Sequence, residues 1–577
     1  MNNEASSSAF TAQKPSALQG PFPNAKRLLW AGFFSIFAAG VGFGVRGGIL
    51  IDWAREYNFT QTELGEISGG GLWGFGLVVV IVSLMADKIG YGRLMIFAFT
   101  MHILTAVLQM CTGPIFDNFG RGGVYLSLTI AMVMFSIANG TCEVVVNPMV
   151  ATLFPNQKTH YLNILHAGWP GGLITGGVIG FVCSDLIKVS WLLQMSLFLV
   201  PVGIYGFLLL GQHIPRSEAS QAGLSFKTML KEFLFPVLLL LLFIQALVGY
   251  VELGTDSWIS KITGSIMDSR GAGMLLFIYT SGLMFALRFF AGPLEHSLSP
   301  LGLLCVSGVF GAIGLTLLGG AAGVVMCVIS ATVYALGKTY LWPTMLAVVS
   351  ERFPKGGALT IGAVGAVGML SAGLIGTPAI GFQQDYFAST KLKDNPDTRP
   401  TFERYVADTP KHFLFFQTQG LDGTKVGLLG LKDTVLTNEK ELLNNQEDLK
   451  TLRSAFFRKP LERLKTDHEQ AAKDARVELD KTLTNLRESK NTDQQRIAAW
   501  WEETKRYAPE DAGPIREAGL FGGRMALKWT AIVPATMAIL YLFLIIYFAL
   551  QGGYKRVIIE EDQAMEKAME TPGSAEA

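Results

Sequence analysis

The sequence predicts an all-α membrane protein whose twelve transmembrane helices form two six-helix bundles. Of its 577 residues, 50% are hydrophobic and only 16% are charged, whereas soluble domains carry about 25% charged residues. Apolar stretches long enough to cross a bilayer, which takes about 20 residues, recur twelve times. A polar linker at 212–232 divides these stretches six and six.

The apolar stretches define the predicted spans. Spans 1 to 6 are predicted at 28–50, 66–86, 92–111, 124–153, 162–183 and 189–211. Spans 7 to 12 are predicted at 233–253, 271–291, 299–319, 322–350, 356–381 and 528–550. The N-terminal bundle is 28–211, and the C-terminal bundle comprises 233–381 and span 12. The other segments are a disordered tail at 1–27, a polar insert at 382–525 and a second tail at 551–577.

Positive charges predict the orientation of the chain. Lys and Arg are concentrated before span 1, after span 12 and in the segments that follow every second span, which is typical of cytoplasmic loops. Residues 1–24 lack the apolar core of a signal peptide. We therefore expect a multi-pass protein of the cell (inner) membrane, with both termini in the cytoplasm and the insert outside it.

The insert has two compositions. Its first part, 383–438, contains several Pro and Gly residues and is predicted to be irregular. In the second part, 440–507, Leu and Ala recur at intervals of three, four and seven residues, which predicts a helical hairpin with one weak apolar stripe. Pro460 is expected to end the preceding helix. The hairpin is either a solvated spacer or a cap that binds an extracytoplasmic protein partner.

Composition also excludes several classes of function. The net charge of +1 disfavours a nucleic-acid partner. All five Cys residues fall in apolar stretches without a Cys-x-x-Cys pair, so neither a disulfide framework nor a metal site is expected. The sequence contains no phosphate-binding loop for ATP and no recognisable pairing of a nucleophile with a base. We expect no cofactor and no enzymatic activity.

Span 4 carries a carboxylate at membrane depth. Glu143 and Asn147 lie among Ala, Val, Ile and Met residues, and charged residues at such depth usually face a partner or a water-filled cavity. Glu143 either carries a proton or stays ionised as a structural partner of Arg46 or Arg288. The further buried-charge candidates are Arg46, Glu252 and Lys338.

Three more charged positions are interpreted from their place in the spans. Glu252 and Asp256 lie near the predicted outer end of span 7, where they gate the outer mouth, coordinate a cation or are simply solvated. Arg288 precedes a Phe-Phe-Ala-Gly-Pro segment and is expected near the inner face in a structural role.

The two halves of the sequence resemble each other. Span 4 contains Gly140, Glu143 and Pro148 before a Phe-Pro stop, and span 10 contains Gly337-Lys338 and Pro343 before another Phe-Pro stop. Transporters are commonly built from such repeats, with the binding site between the repeats near the membrane midplane. The alternative is chance recurrence of Pro in apolar helices.

The loop between spans 2 and 3 carries a family resemblance. Asp87, Gly90 and Arg93 follow Ser83 with a spacing that resembles the signature of the major facilitator superfamily. The resemblance implies a gate in which Asp87 caps a helix and pairs with Arg93, which holds the inner side closed. That family usually begins this motif with Gly, where this sequence has Ser83.

A narrower resemblance concerns spans 4, 5 and 7. Glu143 followed by Asn147-Pro148, and the segment from Asn163 to His166, resemble the pattern of the fucose/galactose/glucose proton-symporter family. Glu252, Gly254 and Trp258 are also similar to that family. The resemblance implies sugar binding and proton coupling. The family's acidic residue in span 1 is not matched at depth, where this sequence has Arg46.

The candidate substrate-binding residues combine hydrogen-bonding and stacking groups. Amides, carboxylates and imidazoles bond sugar hydroxyls, and indoles or phenols cover the apolar face of a sugar ring. The candidates are Asn147, Asn163, His166, Trp169, Gln194, Gln245, Tyr250 and Trp258. Alternatively, His166 bonds neighbouring helices, and the two indoles belong to the interfacial aromatic belt.

These observations predict a secondary active transporter that moves a small polar solute by alternating access. The favoured partners are a monosaccharide, a proton or other coupling ion, and membrane lipid. One alternative is uptake or efflux of another metabolite, such as a nucleoside or an organic anion, for which Arg46 is suited. A second alternative, of another class, is a transporter-like receptor or scaffold that acts through the 382–525 insert.

Overall fold

The computed structural model describes residues 22–57, 61–183, 187, 189–408, 410–451, 455–488 and 492–559. The predicted disorder of residues 1–21 and the end of the second tail, 560–577, lie outside the described residues. Most of the described chain is helical, and the predicted all-α membrane class is confirmed.

The first half of the chain forms helices that coincide with spans 1 to 6. They are α1 (Ala25–Tyr57), α2 (Gln61–Ile89), α3 (Tyr91–Met110), α4 (Thr112–Leu153) and α5 (Lys158–Phe181). Span 6 is divided into α6 (Trp191–Ser196) and α7 (Leu199–Leu209). The linker contains two short helices, α8 (Glu218–Gln221) and α9 (Phe226–Lys231), and a 3-10 turn at Glu232–Leu234.

The second half contains interrupted helices. Span 7 is α10 (Pro236–Gly249), a π-helical turn (Tyr250–Gly254) and α11 (Thr255–Ile266). Spans 8 and 9 are α12 (Arg270–Arg288) and α14 (Pro300–Gly320), joined by α13 (Ala291–Leu298). Span 10 is α15 (Gly323–Lys338) followed by α16 (Leu341–Arg352). After a 3-10 turn (Pro354–Gly356), span 11 is α17 (Gly357–Ser371), a second π-helical turn (Ala372–Gly376) and α18 (Thr377–Asp394).

The insert is more helical than its sequence predicts. It contains α19 (Arg399–Tyr405), an antiparallel pair of strands, β1 (Lys411–Phe413) and β2 (Phe416–Thr418), and the helices α20 (Gly423–Thr451), α21 (Ala455–Glu488) and α22 (Thr492–Thr504). A 3-10 turn (Lys505–Tyr507) precedes α23 (Ala508–Thr530) and α24 (Ile532–Leu550), and α24 is span 12.

Two expectations for the insert are wrong. Residues 423–438 belong to α20 and are not irregular. Pro460 does not end a helix, because it lies only five residues after the start of α21, where the loss of one backbone donor affects only the first turns.

The insert packs onto the extended ends of spans 11 and 12. Leu428 and Leu483 share an apolar core with Leu392 of α18 and Ile515 of α23. Asp511, which is 1% exposed, accepts hydrogen bonds from Thr401 Oγ1 at 2.7 Å and Arg404 Nε at 2.8 Å. The bonded Asp511 carboxylate raises the pKa of the Arg404 guanidinium. These contacts attach α19 to α23.

Ten helical stretches in the described parts of the chain are long and apolar enough to cross a membrane. Predicted spans 2 and 5 are not among these ten stretches, but they form the helices α2 and α5, which pack within the same bundle.

Close packing between two helices of the first half depends on glycine where α1 crosses α5. A Cβ atom added to Gly172 would lie 2.3 Å from the Phe37 carbonyl oxygen, and one added to Gly40 would lie 2.4 Å from the Trp169 carbonyl oxygen. Small residues allow such backbone approach between membrane helices.

One face of the bundle carries the first and the last described segments of the chain, and we call it the terminal face. Arg27 Nε donates to the Leu208 carbonyl oxygen at 2.8 Å, and Arg556 Nη1 donates to the Asn156 carbonyl oxygen at 2.6 Å. The opposite face, which carries the insert, is the insert face.

The two halves of the bundle contact each other at the terminal face. Lys158 Nζ, at the start of α5, donates to the Ser350 carbonyl oxygen of α16 at 3.2 Å. Nearby, spans 2 and 11 approach so closely that a Cβ atom on Gly362 would lie 1.9 Å from Ser83 Oγ. The family motif usually has the small residue of this contact, a glycine, at the position of Ser83. In this protein the glycine of the contact is Gly362, on span 11.

Candidate functional site

A cavity of about 550 Å³ lies between the two halves of the bundle. Its walls come from spans 1, 2, 4 and 5 of the first half and spans 7, 8, 10 and 11 of the second half. The charged and polar side chains that line it are Asn139, Glu143, His166, Glu252 and Arg288, together with the indoles of Trp169 and Trp342. Four predicted site residues, Glu143, His166, Trp169 and Glu252, thus meet at one cavity.

The wall from the first half holds a short polar chain. Because α4 places Glu143 and Asn147 one turn apart on one face, Asn147 Nδ2 donates to Glu143 Oε1 at 2.9 Å. The His166 Nε2 atom lies 2.9 Å from Asn147 Oδ1 and 3.7 Å from Glu143 Oε1. Because the amide oxygen only accepts, His166 Nε2 carries the proton in this arrangement. Asn147 therefore orients both ionisable groups.

The opposite wall contains a buried ion pair. Arg288 Nη2 donates to Glu252 Oε1 at 3.0 Å, and Arg288 Nε donates to the Thr339 carbonyl oxygen at 2.9 Å. Arg288 Nη1 also reaches the first half, where it donates to the His166 carbonyl oxygen at 2.6 Å. The expectation that Arg288 lies near the inner face is wrong, because Arg288 contacts Glu252 in the middle of span 7. The alternative that Glu252 is solvated is also wrong, because its side chain is 4% exposed.

A second ion pair lies beside the first. Lys338 Nζ is 2.5 Å from Asp256 Oδ1, and the Lys338 side chain is fully buried. Glu252 itself lies in the π-helical turn of span 7, and single π-helical turns are frequent at functional sites. Asp256 is thus a partner of a buried cation and not a solvated residue at a helix end.

Among the described residues, Glu143 has no basic side chain within ion-pair distance except His166. The expected pairing with Arg46 or Arg288 is wrong. Arg288 bonds Glu252, and the Arg46 guanidinium carbon lies 4.7 Å and 5.1 Å from the ring centres of Phe43 and Phe135. The indole of Trp342 lines the same cavity from the second half.

Arg46 is buried, and two of its guanidinium nitrogens are unpartnered among the described residues. The residue is 4% exposed, and its Nε and Nη2 atoms have no hydrogen-bond partner in the part of the chain that the structure describes. Arg46 lies outside the set of residues that line the cavity.

Several predicted binding residues lie away from the cavity wall. Asn163 Nδ2 donates to the Thr159 carbonyl oxygen at 2.8 Å and to Thr344 Oγ1 at 3.2 Å, so it joins spans 5 and 10. Gln194 Nε2 donates to the Val189 carbonyl oxygen at 2.9 Å within the first half. Both side chains therefore have structural partners.

The remaining predicted residues belong to span 7. Trp258 Nε1 donates to the Thr377 carbonyl oxygen of span 11 at 2.9 Å. Tyr250 begins the π-helical turn and packs against Gly376. Gln245 is fully buried, and neither atom of its amide has a partner within the described residues. None of these three side chains lines the cavity.

Asn139 and Trp342 line the cavity without having been predicted as site residues. Asn139 precedes Glu143 by four residues on α4, so helical spacing places both on one face and would have identified it. Trp342 precedes Pro343 in span 10 as Asn147 precedes Pro148 in span 4, so the internal repeat would have identified it.

The predicted gate motif lies at the terminal face. Gly90 has a φ of 91°, a left-handed backbone that glycine adopts without strain. Asp87 Oδ1 accepts a hydrogen bond from Ser217 Oγ of the linker at 3.1 Å. Arg93 is exposed, and no ion pair joins it to Asp87 in this structure. Asp87 thus connects span 2 to the linker and not to Arg93.

Solved structures with this architecture are distant in sequence. The E. coli fucose:proton symporter FucP aligns with a TM-score of 0.51 and 17% identity over 66% of this chain and 94% of its own. A bacterial homologue of the human lysosomal transporter Spinster, in an inward-facing and unoccupied conformation, aligns with a TM-score of 0.53 and 12% identity over 91% and 97% of the two chains. At such identities the likeness shows the fold alone.

Sequence comparison establishes the family. The hexuronate transporter of Bacillus subtilis (strain 168) is 24% identical over 148 residues, which are 25% of this chain and 33% of that transporter. The chain thus aligns with about a third of the length of this curated relative. The family model of the Major Facilitator Superfamily matches residues 32–377, more than half of the sequence. This chain therefore belongs to the Major Facilitator Superfamily.

Proposed function

We propose that this protein is a secondary active transporter that carries a monosaccharide by alternating access and couples the movement to protons. The observation that carries the proposal is the cavity between the two halves, in which Glu143 is the buried carboxylate without a Lys or Arg partner. Buried carboxylates of this kind mark substrate and proton pathways in membrane proteins.

The cavity suits a hydroxylated ring. Trp169 and Trp342 supply apolar faces from opposite halves, and Asn139, Glu143 and Glu252 supply hydrogen-bonding groups. A sugar has both a hydroxylated edge and an apolar ring face, so it matches both kinds of surface.

Charge balance suggests how a proton is coupled to movement. Arg288 and Lys338 are each paired with one carboxylate, Glu252 and Asp256, so Glu143 adds one uncompensated negative charge when it is ionised. We call these five side chains, Glu143, Glu252, Asp256, Arg288 and Lys338, the central cluster. A proton on Glu143 makes the net charge of the central cluster zero. Because a buried charge at membrane depth is costly, the neutral cluster is the one we expect to accompany rearrangement of the two halves.

The membrane arrangement is part of the same proposal. The terminal face lies in the cytoplasm, the insert at 382–525 lies outside it, and twelve spans form the bundles 28–211 and 233–381 with 528–550. The contacts of Asp87 with Ser217 and of Lys158 with Ser350 then hold the cytoplasmic side together. Loss of these contacts opens the cavity to the cytoplasm.

Uptake of labelled hexoses into proteoliposomes, with and without an imposed proton gradient, tests the proposal. Glu143→Gln keeps the shape of the side chain and removes its charge, and Glu403→Gln at an exposed position of the insert is the matched control. We expect Glu143→Gln to lose gradient-driven uptake and to retain hexose exchange, whereas the control behaves as the native protein does. Absence of hexose uptake under every gradient would contradict the sugar assignment, and unchanged driven uptake in Glu143→Gln would contradict the coupling role.

A second candidate substrate is an organic anion, in particular a sugar acid. Arg46 is a buried cation with unpartnered nitrogens among the described residues, and the curated relative is named as a hexuronate transporter. Uptake of labelled hexuronate that is lost in Arg46→Gln and retained in Arg516→Gln, an exposed control, would favour this candidate. Hexose uptake without competition by hexuronate would exclude it.

A further inference from the structure

A chain of three polar side chains runs from span 6 through span 3 to the cavity wall. The Tyr205 hydroxyl lies 2.9 Å from His102 Nδ1, and His102 Nε2 lies 2.9 Å from Asn139 Oδ1. Tyr205 and His102 are fully buried, and Asn139 is 3% exposed. The rings of Phe135 and Phe198 contact the imidazole edge-on at 5.8 Å and 6.1 Å. These contacts hold His102 in one orientation.

The hydrogen-bonding roles in this chain follow from its chemistry. The oxygen of the Asn139 amide only accepts, so His102 Nε2 carries a proton and donates it. In a neutral imidazole the other nitrogen then accepts, so His102 Nδ1 accepts a hydrogen bond from the Tyr205 hydroxyl. Bonds in one direction polarise one another in a buried environment. The chain therefore fixes the Asn139 amide with its oxygen turned toward His102.

The fixed amide leaves its donor group free. Asn139 Nδ2 has no hydrogen-bond partner among the described residues, and Asn139 lines the cavity. On the opposite wall, Glu252 Oε2 also lacks a partner among them. Buried polar groups in native proteins are nearly always paired, by protein, water or ligand. A free donor on one wall and a free acceptor on the other match a solute that has hydroxyl groups, because a hydroxyl both accepts and donates.

We infer that Asn139 binds the substrate, and that its amide donates to a hydroxyl oxygen of a polyhydroxylated solute in the orientation that Tyr205 and His102 impose. This inference rests on the proposed function of the cavity as a sugar site. Asn139 contacts the solute, whereas His102 and Tyr205 are positioning residues that act through it.

The first test compares a hexose with its series of monodeoxy analogues. Asn139→Leu preserves the approximate size of the side chain and removes the donor. One hydrogen bond is worth about 0.5–1.5 kcal/mol, so we expect KM for the parent hexose to rise by roughly 2- to 12-fold. For the one analogue that lacks the bonded hydroxyl, the native protein and Asn139→Leu should have equal KM values.

The second test addresses positioning. Tyr205→Phe removes only the hydroxyl that orients His102, and Tyr541→Phe is the matched control, because Tyr541 is fully buried in span 12 and its hydroxyl has no partner among the described residues. We expect Tyr205→Phe to raise KM severalfold in the native background and to have no further effect on KM in the Asn139→Leu background. Tyr541→Phe should leave KM unchanged in both backgrounds.

The outcomes separate this inference from the proposed function. If the native protein transports no hexose, the sugar assignment and this inference both fail. If the native protein transports hexoses but Asn139→Leu has native KM values for the parent and every analogue, only the inference is overturned. It is also overturned if the effect of Tyr205→Phe adds in full to that of Asn139→Leu, because the two side chains would then act independently.

Discussion

The contact between Ser83 and Gly362 allows a sharp test of how the terminal face closes. A Cβ atom added to Gly362 would lie 1.9 Å from Ser83 Oγ and 2.7 Å from Ser83 Cβ. Rotation of the hydroxyl relieves the first contact but leaves the second, because Ser83 Cβ is attached to the backbone of α2. Gly362→Ala should therefore push spans 2 and 11 apart.

The size of the effect follows from the overlap. Forcing one extra carbon into a close-packed contact costs about 1–3 kcal/mol. Because the cost arises only when spans 2 and 11 are in contact, we expect the population with a closed terminal face to fall by roughly 5- to 150-fold relative to the open one. Ser83→Gly removes both overlapping atoms and should restore the native balance in the double variant. Gly282→Ala is the matched control, because no atom lies within 4 Å of a Cβ added there.

The populations can be measured by pulsed electron spin resonance between two spin labels at the terminal face. Gln157→Cys in the loop before α5 and Ser297→Cys in α13 are exposed positions in opposite halves, and Cys111→Ser removes the exposed native thiol. Gly362→Ala should shift the distance distribution toward longer distances. A native distribution in Gly362→Ala, or a shift that Ser83→Gly does not reverse, would refute the reasoning.

Three further predictions concern charged side chains. Glu252→Gln should lower the free energy of unfolding by about 3–5 kcal/mol, because it leaves Arg288 buried without its counter-charge. Unfolding by titration with SDS measures this free energy. The double variant Glu252→Gln with Arg288→Gln should lose less of it than Glu252→Gln alone. Arg556→Ala removes a hydrogen bond from the last described segment to the span 4–5 loop and should widen the spin-label distances at the terminal face, whereas an unchanged distribution would assign Arg556 a local role. Asp511→Asn should weaken the attachment of α19 by about 1–3 kcal/mol, which hydrogen exchange of its backbone amides would show as faster exchange; native rates would contradict it.

Hydropathy predicted the helices well because each span must be apolar on its own. A helix in lipid satisfies its backbone internally, so apolar length alone locates it, as for span 9 at 299–319 and α14 at Pro300–Gly320. The interruptions were not predictable in this way. The π-helical turns at Tyr250–Gly254 and Ala372–Gly376 pack against each other. The sequence of either segment taken alone does not predict this contact.

The candidate site was predicted in part for the same reason. Glu143 was identifiable because a charge in an apolar stretch is conspicuous, and its position required no knowledge of its neighbours. Arg288 was misplaced, and Gln194 and Trp258 do not reach the cavity, because depth and facing direction depend on how each helix is rotated against the others.

The sequence by itself determined the membrane class, the approximate limits of the spans and the carboxylate at the centre of span 4. Tertiary structure alone decided which charges pair, which carboxylate has no Lys or Arg partner among the described residues, and which amide lines the cavity. The physical reason is that apolar length is a property of one helix in contact with lipid, whereas ion pairs and hydrogen bonds such as that between Arg288 and Glu252 join helices whose approach no single segment encodes.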